Sequence, residues 1–467
     1  MNTHPHAPLN PRTGELRRGG WYSWVFWGIV ALFYLYEFFV RVTPNVILPQ
    51  LSQDLQSDPG TIGTAMSVYL WVYAPAQLIV GWLFDRFGTK FLVSSAAVIC
   101  GIGCILFSVA HALDMAAVAR GLIGLGSAFA FVGAVYVATV WFPPARLALI
   151  AGITTSVGMI GEVIGQYPMA RLVETFSWRT VVLWTGFIGG ALGLLMFFVI
   201  PRRPSWFSAS VASHESEKIG LWHSLGGVLR NPQMWLIGLT SAIVYLPLSV
   251  LAALWGTSSL ETLNGLSPEK ASVAISMLAI GWLIGCPIVG MLSDRLKRRR
   301  PFMLVGCIGG AATMALLLFP GFLNYSGLIV LLFISGLLTS TQAITFAIAM
   351  EVNPRRFRAT SVAICNFLVM LMAAGLQVGI GWILNWRAGV HTNASTIGVK
   401  GTSAHPLASH TSTPDAFSSL DVADFQWALG MIPILFVIAT VLCFFIKETR
   451  GQNIVDAQAE PGTAAGG

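Results

Sequence analysis

Four ionisable residues interrupt long apolar runs: Glu37, Arg41, Arg120 and Glu162. Charge is costly inside a bilayer, so ionisable residues there point to function. Glu37 and Arg41 are four apart and share one helix face. Arg grips a carboxylate or phosphate through a planar fork and never loses its charge, which suits an anion site. A buried Glu can exchange protons. The chemistry expected of this set is binding of an anionic solute at Arg41 and proton coupling through Glu37, Glu162 and Arg120. The bland reading of Glu37 and Arg41 is a self-neutralising pair that packs two helices together. For Arg120 it is a partner for a carboxylate on a neighbouring helix. Polar side chains that could line the same cavity are Tyr34, Tyr36, Tyr69, Tyr73 and Gln77 in the first half, and Tyr245, Gln342 and Asn366 in the second. The second half has no mid-span charge, though it adds one more neutral candidate, Gln377.

The elements that position these residues follow from composition. Charged residues are 10% of the 467 and hydrophobic residues 55%, far from a soluble domain. The six cysteines all lie in apolar runs and read as packing residues. A span needs about 20 apolar residues. Twelve candidates occur, at 22–50, 60–84, 89–111, 114–142, 146–171, 178–200, 232–256, 269–292, 301–320, 326–350, 357–386 and 426–446. The expected fold is an all-α membrane protein of twelve transmembrane helices in two six-helix bundles. Of the 27 Lys and Arg, 20 fall in segments on one side and five on the other. By the positive-inside rule both termini are cytoplasmic. Residues 1–20 are then a cytoplasmic tail, 21–200 the first bundle, 201–231 a cytoplasmic linker, 232–446 the second bundle and 447–467 a second tail. A polar, mobile periplasmic loop is expected at 387–425.

The halves repeat. Ser67 to Arg86 (SVYLWVYAPAQLIVGWLFDR) aligns with Ser276 to Arg295 (SMLAIGWLIGCPIVGMLSDR) at an offset of 209, and both copies end in Gly-x-x-x-Asp-Arg. Repeated halves around a central site are the architecture of alternating access.

Gly81-Trp-Leu-Phe-Asp85-Arg86-Phe-Gly88-Thr-Lys90 resembles the loop signature between helices 2 and 3 of major facilitator transporters. Gly290 to Arg298 is its partial copy, with Leu296-Lys297 in place of the usual aromatic-Gly. Arg120-Gly121-Leu-Ile-Gly124-Leu-Gly126 resembles the helix 4 motif of that superfamily, and Lys447-Glu-Thr-Arg-Gly451 its C-terminal ending. The resemblance implies that Gly81, Asp85, Arg86 and Gly88, with Asp294 and Arg295, serve gating. Asp85 would cap a helix N-terminus of the other half. The glycines would let the chain turn and the helices approach.

Tyr34, Arg41 and Pro49 also resemble helix 1 of the organophosphate:phosphate antiporters. The second Arg of that family, in helix 7, has no counterpart here. A weaker resemblance is to phagosomal-type nutrient transporters. Gly152, Gly158, Gly161 and Gly165 follow a spacing similar to the helix 5 motif of drug:proton antiporters, without its central Gly-Pro.

The reading is therefore a monomeric inner-membrane secondary transporter of a small carboxylate-bearing solute, probed best as a proton symporter. Its partners are the solute, protons and lipid. It needs no cofactor or metal and binds no nucleic acid. No nucleotide loop, metal cluster or nucleophile elbow points to an enzyme. The alternatives are a drug or metabolite:proton antiporter, and a non-transporting membrane sensor on the same fold.

Overall fold

A computed structural model describes residues 19–143, 146–201, 221–354, 357–398 and 420–455. Among these residues the regular structure is helical. In chain order the helices are α1 (Trp21–Asp54), α2 (Pro59–Phe87), α3 (Thr89–Ser108), α4 (Leu113–Ser127), α5 (Ala130–Trp141), α6 (Leu147–Ile164), α7 (Tyr167–Thr175) and α8 (Trp178–Val199). Then come α9 (Leu221–Leu229), α10 (Pro232–Val244), a π-helical segment (Pro247–Trp255), α11 (Gly256–Asn264), α12 (Pro268–Leu296), α13 (Arg300–Leu317), α14 (Tyr325–Thr339), α15 (Gln342–Glu351), α16 (Arg358–Gly398) and α17 (Val422–Phe445).

Eleven helices or joined pairs among the described residues are long and apolar enough to cross a membrane. The expected fifth span is not one of them, because it is broken into α6 and α7. Pro168 is the cause. It has no N–H to offer the Ile164 carbonyl, so α6 ends there. Pro247 acts likewise on the Ile243 carbonyl. It ends α10 at Val244 and opens the π-helical segment, and the expected span 232–256 continues as α11 to Asn264. The span expected over 114–142 is also two helices, and so is its counterpart in the second half. The chain steps from α4 to α5 at Ala128–Phe129, and from α14 to α15 at Ser340–Thr341.

Packing repeats as the sequence does. α3 lies on α8 as α13 lies on α17, α2 on α4 as α12 on α14, and α1 on α6 as α10 on α16. The halves meet along two seams, α2 on α16 and α6 on α12. Two expected irregular stretches carry helix instead. Residues 221–229 form α9 within the linker, and α16 runs on to Gly398 because no proline interrupts 387–398.

At the Gly-x-x-x-Asp-Arg end of the molecule, Gly88 has φ +76°, which a side chain would strain. The symmetric position is Lys297, held left-handed at φ +49° despite its side chain. The expected close approach at Gly81 is not found: a methyl group there meets open space. The side chain of Asp85 lies outside the described residues, and Arg86 is exposed over the Trp82 and Phe87 rings. In the second copy Asp294 accepts a 2.6 Å bond from Arg299, while Arg295 is exposed.

Candidate functional site

Arg41 lies near the middle of α1 and is 6% exposed. Its Nη2 donates to Glu37 Oε1 at 2.5 Å, and the Tyr69 hydroxyl donates to the same oxygen at 2.5 Å. Arg41 Nε donates to the Tyr69 oxygen at 3.2 Å. Arg41 Nη1 reaches across to the Tyr245 hydroxyl of the second half at 3.5 Å. The guanidinium also lies 4.4 Å from the Phe38 ring centre and 5.0 Å from that of Tyr73, within cation–π range. Each guanidinium nitrogen thus has a partner, while the second oxygen of Glu37, Oε2, is buried with none among the described residues.

Arg120 lies opposite, with its guanidinium 4.7 Å from the Tyr69 ring centre. Gly124 brings it there, since a methyl at that position would overlap the Tyr69 carbonyl and hold α4 off α2. The carboxylate partner expected for Arg120 is absent among the described residues. It donates instead to the Val40 and Met66 carbonyls, each at 3.4 Å. The Val40 carbonyl is available because Pro44, four residues on, has no N–H. The proline expected to bend α1 lies inside a continuous helix and supplies an acceptor for Arg120.

Glu162, on α6, is 2% exposed, and its Oε1 has no partner among the described residues. Gly161 beside it packs against the Leu35 carbonyl of α1, where a methyl would overlap. Arg41, Tyr69, Arg120 and Glu162 line one cavity together with Tyr245, Ser249 and Gln377 of the second half. Its free space suits water-sized occupants.

The other expected residues fall into three groups. Tyr73 stacks on Tyr69 at 5.7 Å beside Arg41. Gln77 accepts from Asn366 Nδ2 at 3.2 Å, a bond between the halves, and donates to the Ala128 carbonyl. Tyr34, Tyr36 and Gln342 do not line the cavity. Tyr34 packs on Phe38 and Phe131. The Tyr36 hydroxyl meets Cys104 Sγ at 3.5 Å within the first half. Gln342 donates to Ser241 Oγ within the second. Sequence reasoning passed over Ser249.

It also passed over a polar knot nearer the other end. Asn45 Nδ2 donates to Gln166 Oε1 (2.8 Å) and Thr257 Oγ1 (2.9 Å), and Asn45 Oδ1 accepts from the Thr257 N–H (2.9 Å). Gln166 Nε2 donates to the Ala252 carbonyl at 2.7 Å. Asn45 and Gln166 are fully buried. The helix breaks at Pro168 and Pro247 expose the backbone groups that this knot uses. Asn45 itself was a visible signal, as a lone amide one turn beyond Arg41.

Comparison with known proteins fits this geometry. The family model described as Major Facilitator Superfamily matches residues 28–376. A probable sulfoacetate transporter of Cupriavidus necator, SauU, is 25% identical over 58% of this chain and 65% of its own length, just under two thirds of that relative. A probable galactarate/D-glucarate transporter of Escherichia coli, GudP, is 24% identical over 77% of this chain and 87% of its own. A bacterial homolog of the human lysosomal transporter Spinster, solved inward-facing and unoccupied, superposes with a TM-score of 0.73. It is 16% identical and covers 93% of this chain and 98% of its own.

Proposed function

The chain belongs to the Major Facilitator Superfamily, as a multi-pass membrane protein and not an enzyme, and from that premise we propose that it carries a small organic anion across the inner membrane by proton-coupled alternating access. The observation that carries this reading is Arg41, buried between the halves and bonded to Glu37 on its own helix and to Tyr245 across the seam. The solutes named for both relatives are anions.

The mechanism follows from the partners. An arriving carboxylate competes with Glu37 for the Arg41 fork. A carboxylate left buried without its cation is relieved by a proton, and Glu37 Oε2 is the oxygen free to take it. One solute charge then enters with one proton. Because Arg41 also bonds Tyr245, occupancy is felt by both halves. The cavity admits a solute of several carbons only when the halves separate. Of the two acids expected to couple protons, Glu37 is the one tied to the anion site.

The test is a thermal-shift screen of purified protein against organic acids, amino acids and phosphate esters, followed by the affinity of each hit for Arg41→Lys. The variant keeps the charge and loses the fork, so affinity should fall tenfold or more, about 1.4 kcal/mol. Equal affinities would make Arg41 a structural ion-pair partner and remove the basis for an anion site.

A further inference from the structure

Glu162 lines the same cavity as Arg41 and Arg120, and the exchange at Glu37 leaves it without a task. It is 2% exposed, makes no ion pair among the described residues, and has a buried oxygen without a partner. A charged acceptor buried in this way costs more than the roughly 1–3 kcal/mol of a neutral one. It cannot move to a partner, because Gly161 locks α6 against the backbone of α1. Arg41 is already held by Glu37 at 2.5 Å, and Arg120 by two carbonyls. What is missing at Glu162 is a donor, and the cavity is where a donor would arrive.

Charge restricts that donor further. Arg41, Arg120, Glu37 and Glu162 sum to zero when all are ionised. One solute charge entering with one proton on Glu37 keeps the sum at zero. A second anionic group would lack a counter-charge and would face Glu162. Resting on the organic-anion reading above, we infer that Glu162 determines specificity: it accepts a hydrogen bond from a solute hydroxyl and repels a second anionic group. The solute is then a hydroxylated monocarboxylate.

Three probes separate these effects. Gluconate and hexanoate differ in hydroxyls alone, and gluconate and glucarate in one terminal group. Binding of each to the purified full chain is measured by calorimetry at pH 8, for the wild type, Glu162→Gln and Glu162→Ala. Wild type should bind gluconate at least tenfold tighter than either of the others. Glu162→Gln keeps an acceptor oxygen and loses the charge. It should therefore bring glucarate within threefold of gluconate while still preferring gluconate to hexanoate. Glu162→Ala should lose that hydroxyl preference. If Glu162→Ala fails to fold, the wild-type ranking and Glu162→Gln decide. The same ranking in the wild type and Glu162→Gln, or glucarate binding wild type tightest, overturns the inference and leaves the organic-anion reading standing. Failure of all three probes to bind wild type overturns both.

Discussion

Arg41 and Arg299 are both buried arginines facing carboxylates, and their surroundings differ in completeness. Arg299 lies at the start of α13, at the end of the molecule that carries the repeated Asp-Arg motif. Its Nη2 and Nε bond the two oxygens of Glu351, and its Nη1 bonds Asp294 and Ser293. Glu351 also accepts from Thr449, and Glu448 caps the N–H groups of Arg299 and Arg300. Desolvation weighs against the Arg299 charge, but the bonds to Glu351 and Asp294 outweigh it and hold the guanidinium above its ordinary value. Around Arg41 the bonding is incomplete. Glu37 has an unpartnered oxygen, Glu162 has one too, and Arg120 finds only carbonyls. A saturated cluster stabilises one arrangement. An unsaturated one leaves positions that a proton or a solute can fill, which is the physical difference between a strut and a site.

Breaking the saturated cluster should have the largest effect on stability. Arg299→Ala leaves Glu351 buried without its cation and should cost about 3 kcal/mol, read as a lower melting temperature in detergent, with solute affinity unchanged in the protein that remains folded. An unshifted melting curve would contradict the assigned role. Arg41→Ala should do the reverse, abolishing anion binding while the melting temperature falls less than for Arg299→Ala.

The polar knot around Asn45 should give an intermediate effect. Asn45→Ala removes three hydrogen bonds, two of them between the halves, each worth about 1 kcal/mol. The halves should separate more often at that end. A cysteine introduced at Ala253, which lines the cavity, should then react with a thiol reagent about tenfold faster in the Asn45→Ala background. Unchanged labelling would mean that the knot does not gate access.

The smallest effect is expected at Tyr36, whose hydroxyl meets only Cys104 inside the first half. Tyr36→Phe should change solute affinity by less than about twofold and stability by about 1 kcal/mol or less. A larger loss of affinity would move the site away from the face of α1 that carries Arg41.

Much of this was legible in the sequence because membrane cost makes charge conspicuous. Glu37, Arg41, Arg120 and Glu162 stood out for that reason, and three of them, with Glu37 bonded to Arg41, meet at one cavity. The repeat was legible because the Gly-x-x-x-Asp-Arg ending recurs at one offset, and the packing repeats with it. Aromatic type alone did not separate Tyr69, which bonds Glu37, from Tyr36, which faces the bundle interior. Adjacent positions on a helix point to different neighbours, and which neighbour lies where is set by packing. The helix breaks could have been read from Pro168 and Pro247. Their consequence, a knot tying Asn45 to Gln166, Thr257 and Ala252, joins residues up to 212 apart in the chain and exists only in the folded halves.

The central claim is that an anion and Glu37 compete for Arg41, and the most direct measurement is proton uptake on solute binding. Calorimetry of gluconate, or of whichever organic anion the screen identifies, in buffers of different ionisation enthalpy counts the protons taken up. Wild type should take up about one proton per anion bound, and Glu37→Gln should bind the anion with none. Equal proton uptake by the two proteins would contradict the account.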